Sequence, residues 1–253
     1  MKNFWVGVKR FAYAVWSFIF YINPNDTARM AAWRAQDIQE MQNAPGLDPN
    51  AVGKLIGAGM QHRIYEYHQE MAMVLKVSTP IPFLRFPSYD DARTDVECIA
   101  RYLAPYQIQP TEVIPLRGGR YVIAQRRLEH LDTLTPELLA DASLRAQFLD
   151  VVERNRRMRR EVGRALDFLG REGQRKCRAA LLGLRATPTI ANVVVETQRD
   201  GARQLRILDT DLENFFPHAT SPRERQSALA ARMAVAFNRF FIRRFFGIDI
   251  GVA

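Results

Sequence analysis

The chain has 253 residues, 47% of them apolar, enough to bury a real core and to exclude a wholly disordered chain. A net charge of +9 and a pI near 9.9 point to anionic partners such as nucleic acid, acidic lipid or polyanionic glycan. The two cysteines, Cys98 and Cys177, have no metal or pairing spacing. That excludes a disulfide framework and indicates a reducing cytoplasm. The four histidines, His62, His68, His130 and His218, form no metal-ligand or triad pattern either.

The chain opens with an uncharged, mostly apolar run, Phe11 to Ile22, behind Lys2, Lys9 and Arg10. The run is too short to span a bilayer, which takes about 20 residues, and no small-residue cleavage site follows it. On a helix, Lys2, Lys9, Arg10, Tyr13 and Ser17 share one side and aromatics fill the rest. This predicts an amphipathic helix over 1–24 lying in a membrane interface. Packing on its own domain or on a partner protein is the first alternative, and a single-pass anchor with displaced charges is the second.

Asn23-Pro24-Asn25 breaks this segment, and Asp26 reads as the N-cap of a helix from Thr27 to about Gln42, stopped before Pro45-Gly46. Residues 53–76 then read as a strand, a glycine turn at Gly57-Ala58-Gly59, a second strand and a hydrophobic strand ending in Lys76. Glycines let backbone approach phosphate without a Cβ in the way. A lysine inside Met73-Val74-Leu75-Lys76-Val77 is out of place unless it meets an anion. Either feature alone is ordinary, a hairpin turn or a snorkelling lysine; their order and distance suggest a nucleotide site.

A loop over Pro80–Pro87 leads to a predicted helix, Asp90 to Leu103, which carries Glu97. Glu112–Pro115 and Gly119–Ala124 read as a hairpin around Arg117-Gly-Gly-Arg120, and the run Tyr121–Arg126 includes Gln125. Residues 154–178 hold ten basic side chains, opposed by Glu161, Asp167 and Glu172. The apolar spacing there predicts two helices broken near Gly170–Gly173, with a positive patch suited to phosphate groups. No aromatics interleave with these arginines, so base stacking is disfavoured.

Thr187-Pro-Thr-Ile-Ala-Asn192 reads as a loop end leading into the strand Val193–Glu196. Asp200-Gly201 reads as a hairpin turn, and Gln204–Leu208 as a strand that ends at Asp209-Thr210-Asp211. Ser227 to Phe246 is a predicted amphipathic helix. Packing in the core is its favoured role, with a second membrane contact through Phe240–Phe246 as the alternative.

Taken in order, these motifs over roughly residues 50 to 215 resemble the protein-kinase-like fold, nearest to small bacterial kinase-like proteins of the lipopolysaccharide core kinase and YrbL types. The resemblance implies an α+β, two-lobed architecture: a small antiparallel-sheet N-lobe with its preceding helix over 25–124, and a mainly helical C-lobe over 125–253. It implies ATP and Mg2+ as cofactors. Gly57 and Gly59 would cover the phosphates, Lys76 contact them with Glu97 holding it, and Gln125 lie on the strand leading to the hinge. Asn192 and Asp209 would bind the metal.

The family's catalytic aspartate stands five residues before the asparagine. Here that position is Thr187, and no His-Arg-Asp occurs. Asp211 is therefore the candidate proton acceptor. The resulting expectation is a peripheral protein at the cytoplasmic face of a bacterial inner membrane, phosphorylating a lipid, glycan or small substrate. Its arginine-rich helix would face anionic lipid or glycan. A pseudokinase scaffold without phosphotransfer, working through a protein partner, is the main alternative, and a basic nucleic-acid-binding protein is the second.

Overall fold

The computed structural model describes residues 27–58, 62–68, 71–79, 88–216 and 221–251. The predicted amphipathic helix over 1–24, Asp26 and Gly59 lie outside them. The fold is α+β, with antiparallel strand pairs and, among the described residues, five α-helices. None of these helices is long and apolar enough to cross a membrane. The chain divides into two compact units: residues 1–89 with 112–126, and residues 90–111 with 127–253.

In the first unit, helix α1 (Thr27–Met41) precedes a sheet of order β1-β2-β3-β5-β4. Its strands are β1 (Val52–Ala58), β2 (His62–His68), β3 (Ala72–Ser78), β4 (Thr111–Pro115) and β5 (Tyr121–Arg126). One face of the alternating side chains, including Tyr65, Tyr67, Leu75, Val77 and Val122, joins Met41 in a core.

Helix α1 is tied to this sheet by charge as well as by packing. Asp37 is fully buried, and its carboxylate accepts both arms of the Arg63 guanidinium and the Tyr65 hydroxyl at 2.6 Å. Arg120 donates to Asp37 at 3.2 Å, to Glu40, and to the Ser78 carbonyl at 2.9 Å. Burial and the Asp37 carboxylate both push the Tyr65 hydroxyl pKa up. Every charge in the cluster has a partner, which is what burial of charge requires.

The second unit begins with α2 (Tyr89–Tyr102) and continues through β6 (Leu131–Leu134), α3 (Ala142–Val162), β7 (Arg164–Leu166) and α4 (Gly170–Leu181). Strands β8 (Ile190–Thr197), β9 (Arg203–Ile207) and β10 (Leu212–Asn214) follow, then helix α5 (Pro222–Phe246). β6, β8 and β9 form one sheet; β7 and β10 pair as a two-stranded ribbon, Leu166 opposite Leu212. Helix α3 is capped by the Asp141 carboxylate, which accepts the Leu144 N–H at 3.0 Å. Its apolar stripe (Leu144, Phe148, Val151, Val152, Met158) packs on Phe168, Val193 and Ile207.

Helix boundaries differ from expectation at two places. The break in the arginine-rich stretch falls at 163–169, not at Gly170–Gly173. Gly163 takes φ 66° and its N–H returns to the Arg159 carbonyl, closing α3, while Arg164–Leu166 leaves as a strand. Gly170 and Gly173 then open α4 rather than interrupt it. At the other place, α5 starts at Pro222, five residues before the predicted start.

Candidate functional site

In the first unit, Gly57 stands in β1 opposite Ile64, next to a register shift. A Cβ built there would meet nothing nearer than Ile64 Cδ1 at 3.5 Å, so packing leaves room for a side chain at this glycine. Lys76 lies at the centre of β3, paired with Ile64 on one side and Ile123 on the other, and is only 7% exposed. Gln125, opposite Val74, is buried on β5.

In the second unit, Glu97 is on the outer side of α2, its side chain 67% exposed and 3.9 Å from Arg93. The buried carboxylate of that helix is Asp95, which accepts from Arg164 and from the Leu212 N–H at 3.2 Å. Burial is the main cause that raises its pKa, to about 7, against the lowering effect of Arg164.

The second unit gathers a polar cluster that sequence spacing did not reveal. Asn192 lies inside β8 rather than in a loop before it. Its Nδ2 donates to the Asp167 carbonyl at 2.7 Å. Asp167 follows β7 directly, and its Oδ1 accepts from the Gly170 N–H at 3.1 Å and from Asn238 Nδ2 at 2.8 Å. Asn238 is a fully buried amide on α5 that also accepts the Leu169 N–H at 3.0 Å. The carboxylate of Asp167 is thereby fixed through one oxygen. Among the described residues, its Oδ2 makes no hydrogen bond.

Gly170 has φ 58°, and a Cβ there would fall 2.6 Å from Asn192 Oδ1. Only glycine fits both the backbone and the approach.

Asp209 stands two residues beyond the end of β9 and close to Asn192, since the Leu208 N–H donates to the Asn192 carbonyl at 2.9 Å. The Asp209 Oδ1 accepts the Asp211 N–H at 3.1 Å. The side chains of Asp167, Asp209 and Asp211 all act on Glu213. Burial raises its pKa most, and these three carboxylates raise it further, to about 7. The structure therefore brings Asn192, Asp209 and Asp211 together and adds Asp167, Glu213 and Asn238.

Among the described residues, no group of three or more His, Cys, Asp or Glu side chains is arranged to hold a metal ion. Asn192 Oδ1 and the Asp209 carboxylate are hard oxygen donors of the kind Mg2+ takes a few at a time, with water and phosphate oxygens completing its shell. The shared negative charge that lifts Glu213 is the field a divalent cation would offset.

Glu213 gives this cluster a pH signature. Its folded pKa near 7 exceeds the ordinary value of 4.5. Stability from its protonated form is complete below about pH 4.5, declines as pH rises and is lost above about pH 7. Glu213→Gln is expected to match the parent near pH 4 and to exceed it above pH 7 by about 3 kcal/mol. Urea unfolding across that range checks it.

The arginines of α3 and α4 are largely engaged inside the unit. Arg154 pairs with Asp150, Arg157 with Glu161, Arg175 with Glu172 and Arg164 with Asp95. Arg156 donates to the Ile250 and Asp249 carbonyls. Four of these six acceptors lie outside the stretch 154–178, which is why the sequence made the excess look larger. Arg159 differs. Its guanidinium lies 4.4 Å from the Phe215 ring centroid and has no carboxylate partner among the described residues. Burial and then the charge of Arg232 lower its pKa.

No family model matches the chain, and no curated protein matches it.

Proposed function

We propose that this chain is a two-lobed, protein-kinase-like protein that binds ATP and Mg2+ at the inner face of a bacterial membrane and transfers phosphate to a lipid, glycan or small substrate. The observation that carries the reading is the convergence of Asp167, Asn192 and Asp209, residues 25 and 42 positions apart from the first, on one end of the β7–β10 ribbon. Magnesium neutralises charge developing on a transferred phosphoryl group. Asn192 and Asp209 are the residues assigned to it. Lys76, with Gly57 and Gly59, is assigned to the phosphates, and Gln125 to the nucleotide base edge. Residues 1–24 are assigned to the membrane interface.

Asp167 replaces Asp211 as the favoured proton acceptor. Its Oδ1 is held by Gly170 and Asn238, and Oδ2 is the oxygen assigned to take the proton. Asp211 keeps a supporting role in the turn that shapes Asp209.

Calorimetry of ATP binding to the full chain, with and without Mg2+, tests the reading. Binding is expected to depend on Mg2+ and to weaken about 10–100-fold in Lys76→Ala and in Asp209→Asn, the range for a lost charged contact. Absence of ATP binding in the parent under both conditions overturns it in favour of a kinase-shaped scaffold.

A further inference from the structure

Helix α5 turns its buried side, with Ala231, Val235, Asn238 and Ile242, into the second unit. On its outer side, four bulky apolar residues face solvent: Leu229, Met233, Phe237 and Phe240, exposed by 57, 54, 45 and 52%. Spacings of four, four and three residues align them in one stripe. The end of α4 adds Leu181, Leu182 and Leu184, also exposed, and joins α5 where the Arg178 guanidinium lies 5.8 Å from the Phe237 ring centroid. Phe241 and Phe246, by contrast, are core residues. Of the Phe240–Phe246 run that the sequence suggests, Phe240 is on the outward face, which extends from it toward the start of the helix.

The charge along this stripe is predominantly positive, with Glu224 and Asp249 only at its two ends. From Arg225 to Ile248 the chain carries five arginines and no carboxylate. Arg225, Arg232 and Arg239 recur every seven residues, and Arg243 follows. At about 100° per residue they form a row along one flank of the apolar stripe. Arg239 is paired with Asp249 at 2.7 Å. Arg232 has no carboxylate partner among the described residues and sits near Arg159, which has none either.

An occupant of this face must cover apolar area and supply negative charge. Residues 1–24 carry Lys2, Lys9 and Arg10 and no carboxylate, and a second copy would present the same arginine row. Both are of like charge. An anionic bilayer supplies both properties at once, because aromatic and aliphatic side chains enter at headgroup depth while arginines reach the phosphates.

We propose that the outer face of α5, with the end of α4, docks on an anionic lipid bilayer. The proposal shares the membrane location of the preceding reading and rests on that part of it alone; it is independent of nucleotide binding.

The test uses the full chain carrying Met233→Cys in a Cys98→Ser background, labelled with an environment-sensitive nitrobenzoxadiazole fluorophore, since Cys177 is buried. Emission is expected to rise and shift to the blue with vesicles of phosphatidylcholine and phosphatidylglycerol, and not with phosphatidylcholine alone. Phe237→Ser with Phe240→Ser is expected to weaken vesicle affinity about tenfold or more, and Arg232→Gln to weaken it in a salt-dependent way. Vesicle binding with a silent label overturns the proposal and assigns the contact to other residues, such as 1–24. A blue shift that follows protein concentration without vesicles overturns it in favour of a second copy. Loss of ATP binding leaves either result unchanged, because the label reports α5 alone.

Discussion

Asp167→Asn is expected to bind Mg-ATP within a few-fold of the parent and to lose about 10²–10⁴-fold in ATP turnover, the range for removing a positioned general base. The substitution is nearly isosteric. An asparagine Oδ1 can still accept the Gly170 N–H and the Asn238 amide, so the hydrogen bonds that hold the side chain survive. What changes is the second oxygen, which becomes an NH2 group and can no longer take a proton. Asp209→Asn differs in kind, since it is expected to weaken Mg2+-dependent binding itself, by about 10–100-fold. Calorimetry beside a measurement of ADP release separates the two. Turnover by Asp167→Asn at the parent's rate would remove Asp167 from the chemistry and return the role to Asp211.

Asp37→Ala is expected to destabilise the first unit by about 3–5 kcal/mol, the usual cost of removing one partner from a buried ion pair. The loss exceeds that of the contacts themselves, because Arg63 is left buried with its charge uncompensated. Replacing both partners, as Asp37→Leu with Arg63→Met, is expected to cost less than Asp37→Ala alone, since no charge is then stranded. Urea unfolding followed by amide exchange in β2 and β3 reads both variants. A cost below about 1 kcal/mol for Asp37→Ala would mean that the carboxylate is solvated, as in a surface pair.

Much of the secondary structure is legible in the sequence because local signals agree with tertiary context. The two strands after the glycine turn, the hairpin around Arg117-Gly-Gly-Arg120 and the helix Asp90–Leu103 all appear as elements, the lysine strand and the helix ending within two residues of the expected limits. Gly163 was the stronger stop than Gly170 because its left-handed conformation caps a helix, whereas Gly170 opens one against Asn192.

The site is less legible for a definite reason. The family's spacing places the acidic residue five positions before Asn192, at Thr187, which is an exposed loop residue. The aspartate that Asn192 contacts is 25 residues back, because α4 and its loop lie between them. The signal available was Ala165-Leu166-Asp167, a short apolar run that ends in a carboxylate immediately after a capped helix. Asn238 was visible too, as the polar residue in Ala234-Val-Ala-Phe-Asn-Arg-Phe-Phe, but nothing local says which carboxylate it holds.

The chain leaves the first unit after residue 89 and returns to it at 112. A ribosome that has released only the first 89 residues has therefore released β1, β2 and β3 with no β5, so one edge of β3 has its backbone groups open to solvent or to another chain. Arg120 is also missing at that stage, which leaves Asp37 with part of its counter-charge. Completion of the sheet waits for about 40 further residues of synthesis, and this interval is when nascent chains are most prone to pair with one another. No single cut releases the first unit intact, so a fragment ending before β4 carries an open strand edge as a permanent property.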